Sequence, residues 1–329
     1  MVLDVRRGSS GTVWAAGLAA GYVADALLAD PSRGHPVALF GRAATALEQR
    51  CYQDSRTRGA LFAAACVGGT AALGYVATRS ARSRPAAAVA TMAVATWSVL
   101  GATSLRREAA AIGDLLEAGD LDGARKRLPR LCGRDPRGLD EREIARAVVE
   151  SVAENTSDAV VAPLFWGAVA GVPGLLAYRA ANTLDAMVGH RSERYSRFGW
   201  ASARLDDALN LAPARLTGAL TVALAPKVGG SRRESWRTLR ADGAKHPSPN
   251  AGRCEAAAAG ALGLQLGGTN AYESRIEHRP YLGMGRRPRG FDIARANRLS
   301  AAVSTSAALG LSVGVLAVRA AGKIRRRSR

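Results

Sequence analysis

Polar and apolar positions along this chain are sharply segregated. Five charge-free runs stand out, at residues 8–24, 59–78, 85–105, 159–178 and 299–318. Each is about as long as a bilayer core requires of a helix. Ala and Gly fill much of each run, and small residues suit close helix packing in lipid. Five such runs predict an all-α, polytopic membrane helical bundle with multiple passes through the cell membrane. Arg6-Arg7 precedes the first run, but Asp25 follows it without a clear cleavage signal, so it reads as a retained helix.

Between the runs the character changes. The basic turn Arg79 to Arg84 joins the second and third runs into a helical hairpin, with Pro85 opening its second helix. Residues 38–58 read as an amphipathic surface helix. Residues 105–153 are charged and helix-forming, and Asp140 with Glu143 forms a capping box. The helix it opens carries Ile144, Val148 and Val152 inward and delivers Glu154 and Asn155 at its end. Residues 211–226 form a shorter apolar stretch broken by Arg215, and residues 275–298 a basic, proline-containing segment. The organisation expected is N-terminal membrane helices over 1–104, a charged helical insertion over 105–153, a catalytic region over 154–298, and a C-terminal helix with basic tail over 299–329.

Run 159–178 holds Pro163, Pro173, Gly167, Gly171 and Gly174. So many helix breakers predict a broken or re-entrant central helix lining a cavity. On either side lie two copies of Asn-Thr-x-Asp-Ala-x-Val, at 155–161 and 182–188, and Asp206-Asp207-Ala208-Leu209-Asn210 follows. Residues three apart share a helical face, so each cluster presents a carboxylate with an amide. Carboxylates suit Mg²⁺, and amides orient phosphates or sugars. The plainer reading is helix capping beside a buried segment.

Net charge is +19, which favours a polyanionic partner: nucleic acid, anionic lipid or a phosphorylated small molecule. Aromatics are only 5%, and no basic, aromatic-studded strand appears, which argues against a nucleic-acid partner. Four scattered cysteines, Cys51, Cys66, Cys132 and Cys254, imply neither zinc nor a disulfide framework. All four histidines lie in polar connections. His35 and Asp30, in a Pro-rich turn, read either as ligands or proton carriers or as a passive surface histidine and a turn cap. Lys245 to Gly252 is a Ser/Asn/Gly loop before an apolar run; it reads as a phosphate-binding helix start or as a Ser-capped one.

Several of these stretches together resemble the adenosylcobinamide-phosphate synthase family of cobalamin biosynthesis (CobD/CbiB). They are Asp30-Pro31 with His35-Pro36-Val37, Gly133-Arg134-Asp135, the string Glu150 to Asp158, and Asn182 to Gly189. Asp206-Asp207 to Arg215, His246 to Gly252, and Gly267-Gly268 with Tyr272 continue the match. Glu273 stands where the family suggests glycine. The resemblance implies a membrane ligase that joins adenosylcobyric acid to (R)-1-aminopropan-2-ol, free or as its O-phosphate, through an amide bond. ATP would be consumed as co-substrate with Mg²⁺ or another divalent cation. On that reading Asp158 and Asp185 hold metal. His190 is the base, Asp207 and Glu154 complete the catalytic set, and Arg191 and Lys245 bind phosphates. Asn155, Asn182, Asn210, His246, Ser248, Asn250 and His35 contact substrate. Membrane lipid surrounds the chain, and a homo-oligomer is allowed. The rival readings are a non-catalytic membrane carrier or scaffold for an anionic solute, and a CDP-alcohol phosphotransferase. The latter is disfavoured because Asp122-Gly123-Ala124-Arg125 lacks the right spacing.

Overall fold

A computed structural model describes residues 10–29, 34–190, 192–272 and 275–327. Asp30 and Arg191 lie outside the described residues, as does Glu273. Six segments among them are long and apolar enough to cross a bilayer: Gly11–Leu28, Arg56–Ala81, Pro85–Glu117, Glu141–Gly189, Trp200–Val228 and Gly290–Val318. The sixth beyond the expected five arises because the apolar stretch around Arg215 belongs to a longer helix. The chain is a multi-pass, all-α membrane protein. The residues gather into two compact units, one of residues 1–101, 162–209 and 307–329, the other of 102–161 and 210–306.

The first unit holds α1 (Ser10–Leu28), α2 (Pro36–Cys51), α3 (Arg56–Ala81), α4 (Pro85–Val99), α8 (Ala162–Leu184) and α9 (Tyr195–Phe198). It also takes the first part of α10 (Trp200–Leu224) and the end of α13 (Gly290–Arg327). Local chemistry sets the boundaries. Ser55 caps α3, and Pro85 sits in the first turn of α4. The expected single helix over 38–58 ends at Cys51, because Tyr52 turns extended and Ser55 begins a new cap. α1 packs on α4, and α3 and α4 pack on α8. Leu18, Met92, Leu164 and Leu175 are buried there. Leu61, Leu73 and Val76 of α3 and Leu309 and Val313 of α13 stay exposed, as residues facing lipid do. α8 is two helices in one line of sequence. Gly171 breaks it at φ 67°, ψ −154°, a region essentially closed to side chains. Pro173 follows, and a Cβ at Gly171 would meet the Trp14 ring at 2.8 Å. The expected broken central helix is this break.

The second unit holds α5 (Ala102–Glu117), α6 (Leu121–Arg127), α7 (Glu141–Thr156), α11 (Arg232–Asp242) and α12 (Ala251–Leu262), with parts of α10 and α13. α7 opens on the predicted capping box: Glu143 N donates to Asp140 Oδ1 at 2.8 Å, and Asp140 N donates to Glu143 Oε2 at 2.9 Å. Ile144, Val148 and Val152 are buried as expected. α12 is alanine-rich and almost wholly buried between α7 and α11. The sequence did not suggest the antiparallel hairpin β1 (Leu266–Tyr272) and β2 (Arg275–Leu282), which touches α7, α11 and α12. Its register shifts between Leu266 and Gly268.

Candidate functional site

Both copies of the Asn-Thr-x-Asp-Ala-x-Val motif fall on the same irregularity. Five-residue π-helical turns occupy Ser157–Val161 and Asp185–Gly189. Such wide turns interrupt the usual helical bonding and often mark functional sites. Each carries its motif aspartate, Asp158 in the second unit and Asp185 in the first.

In the second unit, α7 carries Glu150 and Glu154, and the wide turn that follows it carries Asp158. Glu150 is the buried hub. Its Oε2 accepts from Arg134 Nη2 at 2.7 Å and its Oε1 from Gly267 N at 2.7 Å. Both side chains of the Arg134–Glu150 pair are at most 6% exposed. Arg146, one turn earlier, donates to Gly267 O at 2.7 Å, Asn270 Oδ1 at 2.8 Å and Thr269 O at 2.8 Å. These bonds tie the hairpin to α7.

Facing them on α12 is Glu255, fully buried. Neither of its carboxyl oxygens has a hydrogen-bond partner among the described residues. His246 Nε2 and Arg279 Nη1 each lie 3.9 Å from its Oε1. Burial raises the Glu255 carboxyl well above the usual range, and the charges of Glu150 and Glu154 push the same way. His246 moves in the opposite direction, down to about 4, through burial and then the Arg279 charge. Its Nδ1 accepts from Ser248 N at 3.0 Å, which assigns the proton of the neutral ring to Nε2. Buried polar atoms without partners are uncommon in finished cores. Here Glu255, His246 Nε2 and Asn270 Nδ2 supply several in one unit. The arrangement offers a buried carboxyl group and an imidazole N–H to a polar group near Arg134 and Arg279.

The low His246 value has a measurable consequence. The unfolded imidazole titrates near 6.5, so folding excludes a proton between about 6.5 and about 4. His246 thus costs stability progressively as pH falls through that window, about 3 kcal/mol in all. Glu255 has the opposite sign, and its contribution is lost as pH rises through its raised value. NMR of labelled histidine is expected to find the His246 ring neutral at pH 5. A ring titrating between 6 and 7 would contradict the assignment.

The remaining expected residues are distributed as follows. Asn155 donates to Ser151 O at 2.9 Å, and Glu154, Asn155 and Asp158 are half-buried. The charges of Asp158 and Glu154 both bear on buried Cys254. Asn210 is buried. Lys245 pairs with Asp242 at 2.7 Å. Ser248 Oγ accepts from Asn250 N and Ala251 N, and Asn250 Oδ1 accepts from Arg215 at 3.0 Å. In the first unit Asn182 links Arg179 to Asp206, accepting at 3.2 Å and donating at 3.3 Å. Asp207 is half-buried nearby in sequence. His190 is exposed, its ring edge-on to Tyr195 at 5.1 Å. Tyr195 in turn donates to buried Glu48 at 2.9 Å. His35 Nδ1 accepts from Val37 N and caps α2. The four cysteines are free thiols.

A family model described as CobD/Cbib protein matches residues 18–300. The chain belongs to the CobD/CbiB family. It is 53% identical to the cobalamin biosynthesis protein CobD of Mycobacterium tuberculosis over 296 residues, 90% of this chain and 94% of that one. The protein of the same name from Geobacter metallireducens is 48% identical over 264 residues, covering 79% and 83%. That of Rhodobacter capsulatus is 42% identical over 291 residues, covering 87% and 90%. No solved structure matches. The CobD/CbiB match runs from α1 into α13 and so includes both aspartate-bearing wide turns.

Sequence reasoning passed over Glu150, Arg134, Glu255 and Arg279 as site residues. Glu150 was marked by its spacing of four from Glu154. Glu255 was marked as the one acid in an alanine run. Nothing local pointed to Arg279, whose place depends on the hairpin.

Proposed function

We propose that this protein acts in cobalamin biosynthesis as an ATP- and Mg²⁺-dependent ligase joining adenosylcobyric acid to (R)-1-aminopropan-2-ol or its O-phosphate. The observation carrying this reading is the carboxylate row Glu150, Glu154 and Asp158 set against buried Glu255 and His246 in a member of the CobD/CbiB family. A carboxylate does not condense with an amine unaided at neutral pH. Transfer of the ATP γ-phosphoryl group to the substrate carboxylate gives an acyl phosphate and ADP. The amine then attacks the acyl carbon, the C–O bond to phosphate breaks, and inorganic phosphate leaves. His190 is the proposed base that takes the ammonium proton, with Asp207 holding the amino-alcohol. Asn155, Asn182, Asn210 and Asn250 supply amides for the substrates' polar groups.

Among the described residues no three His, Cys, Asp or Glu side chains converge as a ready-made cation cage. Mg²⁺ does not need one, because it binds through one or two carboxylates together with substrate phosphates. Asp158 and Asp185, each on a wide turn of its own unit, are each proposed for that role, and a bound ion would supply charge neutralisation for phosphoryl transfer. Asp158→Asn and Asp185→Asn are each expected to lower turnover by about two orders of magnitude and to raise the Mg²⁺ concentration needed. Unchanged turnover and Mg²⁺ dependence in properly inserted protein would remove the metal assignment.

The reaction course is tested with adenosylcobyric acid carrying ¹⁸O in its free carboxylate. The proposal places one labelled oxygen in released inorganic phosphate. Label in AMP would point to an adenylate instead, and amide formation with no label transferred to a nucleotide product or phosphate would overturn activation by ATP.

A further inference from the structure

The hairpin unit also holds a polar cavity, which shares Arg146, Gly267 and Thr269 with the contacts described above and is lined by neither Glu255 nor His246. Its volume is about 140 Å³, well below the several hundred Å³ of pockets that enclose drug-sized ligands. Arg142 and Arg146 line it from successive turns of α7, and Arg287 lines it from the segment after β2. Arg146 is fixed by its three bonds to the β1 backbone and Asn270. Arg142 and Arg287 are exposed, and among the described residues no acid pairs with either guanidinium. Glu143 also lines the cavity, but one of its oxygens is engaged by the capping box at Asp140 N. Three lining cations outnumber lining Glu143 together with Glu150, which lies 3.5 Å from Arg146, and leave a net positive hollow that an anion would neutralise.

Part of the cavity wall is the bare backbone of Gly267 and Gly268. Gly267 and Gly268 have φ values of 82° and 96°, where side chains are strained. A Cβ on Gly268 would come within 3.0 Å of the Tyr281 ring. Glycine is therefore required at the β1 bulge, both by the backbone conformation and by the close approach of Pro280 and Tyr281 of β2. Gly267 N is already given to Glu150, so the arginines are the donors.

We infer that the cavity between α7 and the β1 bulge binds a phosphoryl group through Arg142, Arg146 and Arg287. Guanidinium forks match phosphate oxygens in pairs, and the small volume admits a phosphoryl group while leaving the rest of its molecule outside. The group belongs either to a nucleotide or to a phosphorylated amino-alcohol. The choice between these two sources rests on the ligase reading, whereas the site itself rests on the cavity.

Calorimetric titration of the full chain in lipid nanodiscs tests it, without corrinoid or turnover. The ligands are a non-hydrolysable ATP analogue, aminopropanol O-phosphate and free aminopropanol. Arg142→Gln and Arg287→Gln alter exposed side chains and are expected to fold. Each should weaken one of the two phosphorylated ligands by about tenfold or more, the loss of a charge-assisted bond, with free aminopropanol unaffected. Loss confined to the ATP analogue assigns the cavity to nucleotide. Loss confined to aminopropanol phosphate assigns it to the amine substrate. Wild-type affinity for both in both variants would overturn the inference, as would an equal loss for free aminopropanol. Failure of the ligase reading would register elsewhere, as absence of amide product from protein that still binds the phosphorylated ligand.

Discussion

Glu150→Ala is expected to destabilise the second unit by about 3–5 kcal/mol. The carboxylate is buried, bonded to Arg134 and to the Gly267 amide, and 3.5 Å from Arg146. Removing it takes the carboxylate from a guanidinium that is 6% exposed and removes the Gly267 bond, one of those that tie the hairpin to α7. Desolvation decides the sign: a buried charge without its partner costs more than the pair contributed. The double variant Arg134→Met/Glu150→Met is therefore expected to be more stable than Glu150→Ala. Equilibrium denaturation in mixed micelles measures both. A loss under about 1 kcal/mol for Glu150→Ala would show that the pair is replaceable by solvent.

The second large effect is expected at the helix break. Gly171→Ala forces a side chain into φ 67°, ψ −154°, at about 1–3 kcal/mol for the backbone alone. It also drives the new methyl group toward the Trp14 ring at 2.8 Å. These two costs arise independently, so the total is expected at about 3 kcal/mol or more. Trp14→Ala in the same background should relieve only the steric part. Full recovery in that double variant would mean that the backbone at position 171 is not strained. Wild-type stability in Gly171→Ala would mean that α8 runs straight.

Much of this fold was legible because membrane segments advertise themselves. From residue 10 on, the five charge-free runs lie in α1, α3, α4 with the start of α5, the wide turn Ser157–Val161 with α8, and α13. The breakers in run 159–178 foretold the interruption, although only the structure places it at Gly171. The hairpin was not legible. β1 reads Leu-Gly-Gly-Thr-Asn-Ala-Tyr, with no alternation and two glycines that weaken strand propensity. β2 contains Pro280 and alternates weakly. β1 is bonded by Arg146 and Glu150, more than a hundred residues away, and no local pattern carries that.

The site divides the same way. Glu154 and Asp158 were legible as acids next to amides, and both bear on α12. The i,i+3 argument took each Asn–Asp pair as a regular helical face. Both aspartates instead sit on wide turns, and Asn182 pairs across to Asp206 of the third cluster at 3.3 Å. Glu255 stood out in the sequence only as the one acid in an alanine run. Its significance comes from complete burial with no bonded partner, which is a property of packing and not of spacing.

The most direct measurement supplies purified protein in nanodiscs with adenosylcobyric acid, aminopropanol phosphate or free aminopropanol, ATP and Mg²⁺, and seeks the amide by mass spectrometry. The account predicts product that requires ATP and is lost in Asp185→Asn. No product with either amine, from protein that demonstrably binds the corrinoid, would contradict it and favour a carrier.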